Sequence, residues 1–189
     1  MKGDTLIVFA RAPRHGTVKR RLAAGIGAMA ALRFYRGQLG RLLRQVGRDP
    51  RWRVELAVTP DRIRWPTGLP MHGQGGGDLG QRMGRALGCH RRAVLVGCDI
   101  PGLGAADIAA AFRALGRADA VFGPAEDGGY WLVGLGPRRP PAPFAKVRWS
   151  TEHALADTLA NCAGRRVALL RRLRDVDTAA DLAAVGRRG

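Results

Sequence analysis

Residues 5–22 read Thr5-Leu6-Ile7-Val8-Phe9-Ala10-Arg11-Ala12-Pro13-Arg14-His15-Gly16-Thr17-Val18-Lys19-Arg20-Arg21-Leu22, and the two halves of this stretch differ in kind. Thr5 to Ala10 is apolar without alternation after its first residue, the pattern of a strand covered on both faces in a parallel sheet. The residues that follow form a basic turn around Gly16 that leads into a helix. Gly16 permits close backbone approach, a helix start offers unpaired N–H groups, and Arg11, Lys19 and Arg21 carry charge suited to a di- or triphosphate. The turn is not a P-loop, because GxxxxGK[ST] is absent.

Outward from this unit, strand-length apolar runs alternate with helix-length amphipathic ones, which predicts an α/β fold. Ala93 to Val96 is a second continuously apolar run and belongs with Thr5 to Ala10 at the centre of the sheet. Val54 to Thr59, Leu69 to His72, Ala120 to Phe122, Tyr130 to Leu135 and Val167 to Leu170 supply further strands. Helices are expected over Ala28 to Val46, Leu79 to Leu87, Ala105 to Leu115, Thr151 to Ala163 and Ala179 to Val185. Asp78 with Gln81, and Thr178 with Asp181, have the spacing of helix-capping pairs.

The chain has 189 residues, 46% of them hydrophobic and 25% charged, which fits one globular domain over residues 1–189. No apolar run reaches the ~18 residues of a membrane span, and Met1 to Ala10 reads as a strand start rather than a signal peptide, so a cytoplasmic protein is expected. Cys89, Cys98 and Cys162 lack CxxC spacing, and the four histidines lack HxxxH or HExxH spacing, which argues against a disulfide framework or a zinc centre. The net charge of +17 invites a nucleic-acid reading. Against it, only three basic residues are lysines, a bias that points to base composition, and Arg33, Arg36, Arg41, Arg44 and Arg48 fall opposite the apolar positions of one helix. Aromatic content of 6% and the absence of RNA-binding motifs also argue against nucleic acid as the main partner.

Four strand-end loops concentrate the residues that a core does not need. Besides Arg11 to Arg21 they are Gly73 to Gly80, Cys98 to Gly102 and Pro124 to Gly129. In an open parallel sheet such loops gather in one crevice, where ligands bind. Gly75-Gly76-Gly77 before Asp78 is either a flexible turn or backbone lying against a base or ribose, with Asp78 or Gln74 bonding it. Asp99 follows the most hydrophobic strand and needs a cation, for which Mg²⁺ or Mn²⁺ requires only one or two protein carboxylates; a helix cap or an ion pair is the alternative. Cys98 reads as a small buried hydrophobe. Asp127 lies either in a hairpin turn or at the place where an acceptor is bound or deprotonated. Asp175 and Asp177 remain outside the Thr178 cap, and one of them suits a second metal position or an arginine pair.

The ordered motifs FARAPRHGTVKRRL, GGGDLGQRM, GCDIP, GPAEDGGYWLVGL, VRWSTEHAL and DVDTAADL resemble the bacterial glycosyltransferase-like family of the nucleotide-diphospho-sugar transferase superfamily, from Leu6 to Leu182. The first loop and DVDTAADL are distantly similar to molybdenum cofactor and 2-phospho-L-lactate guanylyltransferases. The resemblance implies a Rossmann-like GT-A domain with a mostly parallel central sheet, helices on both faces, a nucleotide in its N-terminal half and a small-molecule acceptor in its C-terminal half. Carried onto this sequence it implies Arg11, Pro13, Gly16, Lys19 and Arg21 on the phosphates, Asp78 and Gly80 in a second nucleotide loop, and Asp99 as metal ligand. It implies roles, less sharply, for Asp127, Trp149, Ser150 and Asp177. The chain departs from the family at Arg20, where Thr or Ser is usual, at Cys98, where Ser is common, and in lacking the second carboxylate of DxD after Asp99.

The expected activity is that of a Mg²⁺- or Mn²⁺-dependent transferase using a nucleotide-activated donor, foremost an NDP-sugar. Lys19, Asp99 and Asp127 are then the catalytic candidates, and Asp99 and Asp177 the metal candidates. A nucleotidyltransferase that uses an NTP and releases pyrophosphate is the alternative, and a non-catalytic nucleotide- or RNA-binding protein the third reading.

Overall fold

The opening apolar run becomes β1 (Thr5–Arg11), with Leu6, Ile7 and Val8 fully buried. It is flanked in parallel by β2 (Arg53–Thr59) on one side and β4 (Ala93–Gly97) on the other, and this is why it carries no polar alternation. The computed structural model describes residues 3–62 and 67–186. Its other strands are β3 (Met71–Gly73), β5 (Ala120–Pro124), β6 (Tyr130–Leu135) and β7 (Val167–Leu169). The helices are α1 (Arg20–Ile26), α2 (Ala28–Val46), α3 (Leu79–Gly88), α4 (Ala105–Ala114), α5 (Ala154–Ala160) and α6 (Ala179–Gly186). Seven strands form one sheet in the order β3-β2-β1-β4-β6-β5-β7. All pair in parallel except β6, which is antiparallel to both β4 and β5 because a short turn joins it to β5.

Helices cover both faces. Leu6, Val8 and Val96 pack with Tyr35, Leu39 and Leu42 of α2 and with Ile108 and Phe112 of α4. On the opposite face Ile7, Leu95, Phe122 and Val133 meet Met83 and Leu87 of α3, with Leu155 and Leu159 of α5 packed against them. A small third cluster, Leu22, Ala31 and Val176, fastens the C-terminal segment onto α1 and α2. The fold is thus a single α/β layer structure, a mostly parallel central sheet with helices on both faces. No helix among the described residues is long and apolar enough to cross a membrane.

Several local boundaries differ from the sequence reading, three of them beside the loops. The helix entered after the first loop is a separate α1, divided from α2 at Gly27, whose φ of 85° breaks the helical path. The third strand lies at Met71–Gly73, later than Leu69 to His72. Helix α5 starts at Ala154 rather than Thr151, because the Thr151 hydroxyl donates back to the Arg148 carbonyl (2.8 Å) and closes a turn.

One buried hydroxyl couples the core to the loops above it. Tyr35 Oη donates to the Arg11 carbonyl (2.8 Å) and accepts from the Arg11 N–H (2.9 Å) and the Cys98 thiol (3.1 Å). It therefore holds the ends of β1 and β4 at a fixed separation. Replacing Tyr35 with Phe strands these partners, and a loss of about 1–3 kcal/mol is expected. Urea denaturation checks this as a lower midpoint at unchanged slope.

Candidate functional site

The loops after β1, β3, β4 and β5 lie at one edge of the sheet, at the carboxyl ends of the parallel strands. Gln74, expected as a possible base contact, is instead a buried tie between strand ends. Its Nε2 donates to the carbonyls of Ala10 (3.1 Å) and Ala57 (2.9 Å), and its Oε1 accepts from Arg82 (3.1 Å), so both amide hydrogens are taken in a side chain that is itself buried. The glycine run after it is shaped rather than loose. The Gly75 N–H donates to both carboxylate oxygens of Asp61, Arg85 holds the carbonyls of Gln74 and Gly76, and Gly75 and Gly77 have φ of 75° and 94°. Asp78 caps α3 in a reciprocal box with Gln81, at 2.8 and 3.0 Å. Gly80 is buried against the wall of the crevice: a Cβ there would fall 2.7 Å from Trp149 Cζ2 and 2.9 Å from Phe144 Cβ.

Lys19 occupies the centre of the arrangement. Its backbone is left-handed (φ 47°, ψ 51°), an arrangement that costs a non-glycine residue about 1–2 kcal/mol. This geometry swings the side chain, only 5% exposed, into the crevice, where Nζ lies 2.7 Å from Asp99 Oδ2 and 2.7 Å from Asp177 Oδ1. Burial pulls the ammonium down, but Asp99 and Asp177 outweigh it and hold Lys19 above its ordinary value. Arg21, largely exposed, stands 3.9 Å from Asp177 Oδ2. Arg11 and Gly16 are exposed and Pro13 half-buried on the same loop, and Arg36 of α2 fixes it through the Pro13 carbonyl (3.1 Å).

Asp175 joins the cluster although the motif matching singled out Asp177. Val176, fully buried, is the pivot between the two carboxylates. The signal in the sequence is this Asp-Val-Asp spacing, acid on either side of an apolar anchor. Burial raises the Asp175 carboxyl to about 6, with Asp127, Asp177 and Asp99 adding to the rise and Lys19 opposing it. One ammonium thus faces several carboxylates. Asp127 lies in the turn between β5 and β6, where its Oδ1 accepts from the Gly129 N–H (2.9 Å), so the hairpin reading and the crevice position both hold.

Between these carboxylates and the end of α3 is a cavity of about 240 Å³, lined by Asp99, Asp127 and Asp175 on one side and by Leu79, Tyr130 and Trp149 on another. Ser150, with φ of 62°, is at its rim. Cys98 is buried beneath it. Its thiol is pushed up to about 12 by burial first and by Asp99 second, so it is neutral at any working pH, as the small-hydrophobe reading expects.

Hard carboxylate oxygens suit Mg²⁺ or Mn²⁺, which take one or two protein carboxylates together with phosphate oxygens. Among the described residues no three His, Cys, Asp or Glu donors stand preassembled for a metal ion, since Lys19 holds Asp99 and Asp177. The donor set fits a metal that arrives with a phosphate-bearing ligand better than one held permanently.

The family described as "Uncharacterized protein conserved in bacteria (DUF2064)" matches residues 42–151. No curated protein matches the chain. Among solved structures, a "putative nucleotide-diphospho-sugar transferase" from Desulfovibrio desulfuricans G20 is 29% identical with a TM-score of 0.92, over 100% of this chain and 88% of that one. A 4-diphosphocytidyl-2C-methyl-D-erythritol synthase from Anaerococcus prevotii DSM 20548 shares the fold at 10% identity and TM-score 0.61, over 99% and 98% of the two chains. Rv0371c from Mycobacterium tuberculosis H37Rv, in complex with manganese, shares it at 15% identity and TM-score 0.53, over 97% of each.

The crowding of carboxylates has a measurable sign. Because the folded protein holds the Asp175 proton more tightly than an unfolded chain does, the ionised form destabilises the fold above about pH 6 and carries no penalty below pH 4. In metal-free buffer, Asp175→Asn is expected to raise Tm at pH 8 and leave it unchanged at pH 4, as read by calorimetry at the two pH values.

Proposed function

The chain belongs to the DUF2064 family, and we propose that it is a divalent-metal-dependent transferase that uses a nucleotide-activated donor, foremost an NDP-sugar. The observation that carries this reading is the meeting of Asp99, Asp175 and Asp177 around the Lys19 ammonium at the carboxyl ends of the central strands. In this fold that edge is where ligands bind. The 29% identity to the Desulfovibrio protein, over the whole chain, supports the sugar-donor form of the reading.

In this reading the exposed loop with Arg11, Pro13 and Gly16 takes the donor's phosphates, assisted by Lys19 and Arg21, and the backbone around Asp78 and Gly80 takes its nucleoside. Asp99 and Asp177, with Asp175 beside them, hold Mg²⁺ or Mn²⁺. When bound, the metal offsets charge that gathers on the departing diphosphate. Lys19 supplies a second positive centre for the same charge, in a half-enclosed site where it acts more strongly than in water. Asp127 orients the acceptor and takes its proton. The chemistry asked of the protein is placement and charge compensation.

A nucleotidyl transfer from an NTP is the second reading, favoured by one observation: the loop after β4 offers the single carboxylate Asp99 rather than a pair. Release of pyrophosphate rather than nucleoside diphosphate distinguishes the two.

A thermal-shift panel of NTPs, NDPs and NDP-sugars with and without Mn²⁺ tests the proposal. A donor at about 100 times its dissociation constant adds about 2.7 kcal/mol, a shift of several degrees in Tm. The shift is expected to need Mn²⁺ and to vanish in Asp99→Ala and in Asp177→Ala. Stabilisation by nucleotides that ignores both the metal and these substitutions refutes it.

A further inference from the structure

In a chain of net charge +17, the cavity beside Asp127 has no lysine, arginine or histidine among the described residues that line it. Its charged members are Asp99, Asp127 and Asp175, all acids. The basic side chains nearby are engaged by partners, and two of those partners, Asp99 on Lys19 and the Ala125 carbonyl on Arg172, themselves line the cavity. Lys19 is taken by Asp99 and Asp177, Arg174 pairs with Glu126 (2.6 Å), Arg148 pairs with Asp157 (2.7 Å), and Arg172 donates to the Ala125 carbonyl (3.2 Å). The remaining wall is largely apolar and aromatic, with Ser150 and Thr151 also lining it, and it holds two buried groups without a hydrogen-bond partner, the Trp149 Nε1–H and the Tyr130 hydroxyl.

A pocket that selects a phosphate or carboxylate supplies guanidinium, ammonium or converging N–H groups. This pocket supplies carboxylates, which repel such groups, and aromatic faces, which favour an uncharged body or a cation. Even with a divalent metal on Asp99 and Asp177, Asp127 keeps the acceptor side acidic.

We infer that the acceptor taken by this site carries no phosphate or carboxylate group: it is an alcohol or amine whose less polar face lies against Tyr130 and Trp149. The inference rests on the proposed transferase reading and names its second substrate by class. The acceptor's hydroxyl or amino lone pair forms the new bond to the donor's anomeric carbon, the bond from that carbon to the diphosphate oxygen breaks with its electron pair leaving on the nucleoside diphosphate, and the acceptor's proton passes to Asp127. The Asp127 oxygen not held by Gly129 is available for that proton, and the Trp149 indole N–H donates to an oxygen of the acceptor.

Two measurements on the full chain test this. In the first, Mn²⁺ and the donor that stabilises the protein most are supplied with matched pairs, glycerol and glycerol phosphate, glucose and glucose 6-phosphate, ethanolamine and phosphoethanolamine, and nucleoside diphosphate release is read. Phosphate-free members are expected to accelerate release several-fold more than their phosphate esters; the reverse order overturns the inference while leaving the donor reading in place. Failure of any donor to bind refutes the donor reading instead. The second measurement reads the cavity without turnover, through quenching of the Trp149 emission, taken as the difference between wild type and Trp149→Phe. Caesium is expected to quench this component more than iodide, with the preference shrinking in Asp127→Asn. A preference for iodide overturns the inference whatever the turnover result.

Discussion

The site depends on one shared ammonium. Lys19 Nζ binds Asp99 and Asp177 at equal distance, and through it the first loop, the loop after β4 and the C-terminal segment become a single unit. The buried ammonium keeps its charge because it is paired, and the partly exposed Asp99 and Asp177 supply that pairing while keeping contact with water. The left-handed backbone at Lys19 belongs to the same constraint, because it is the turn of the chain that aims the side chain inward. Tyr35 beneath and Val176 behind hold the partners in place, so the arrangement stands before any ligand arrives.

Much of the framework was legible because it is written in local patterns. The unbroken apolar runs at Thr5 to Ala10 and Ala93 to Val96 mark central parallel strands, and both lie there. The caps at Asp78 and Thr178 form as their spacing demands. The gathering of four loops at one edge follows from strand direction alone. What local pattern cannot carry is the identity of tertiary partners. Lys19 and Asp177 are separated by 158 positions, and no periodicity links them. Gln74 reads as a ligand-contacting amide beside a glycine run, yet the shortfall of strand hydrogen bonds at Ala10 and Ala57 claims it. Gly80 matches a nucleotide loop by motif, while its lack of a side chain is also required by Trp149 and Phe144, which come from a segment over sixty residues away. Asp175 was visible as an acid without a cap, but only the burial of Val176 shows that it faces the same crevice as Asp177.

The molecule also separates its charges in space. Arginines crowd the outer face of α2 and the rims of the loops, while the interior of the crevice is acidic. Anions therefore meet an attractive exterior and are steered toward the basic first loop, where attraction falls off with ionic strength. Beyond that loop the sign reverses. A negatively charged molecule is attracted at the entrance and repelled beyond it.

The anchoring of Val176 against Leu22 and Ala31 fixes when, as well as where, the site exists. The first loop and Asp99 are translated before Asp175 and Asp177, so a ribosome-bound fragment that already has β1, β4 and their flanking helices still lacks two of the carboxylates around Lys19. Until Asp175, Val176 and Asp177 emerge, the ammonium has only Asp99 as partner and the third hydrophobic cluster is unfilled. Assembly of the crevice is thus a late, long-range event in biosynthesis, and an incomplete chain presents a strand framework without the carboxylate set on which its chemistry would rest.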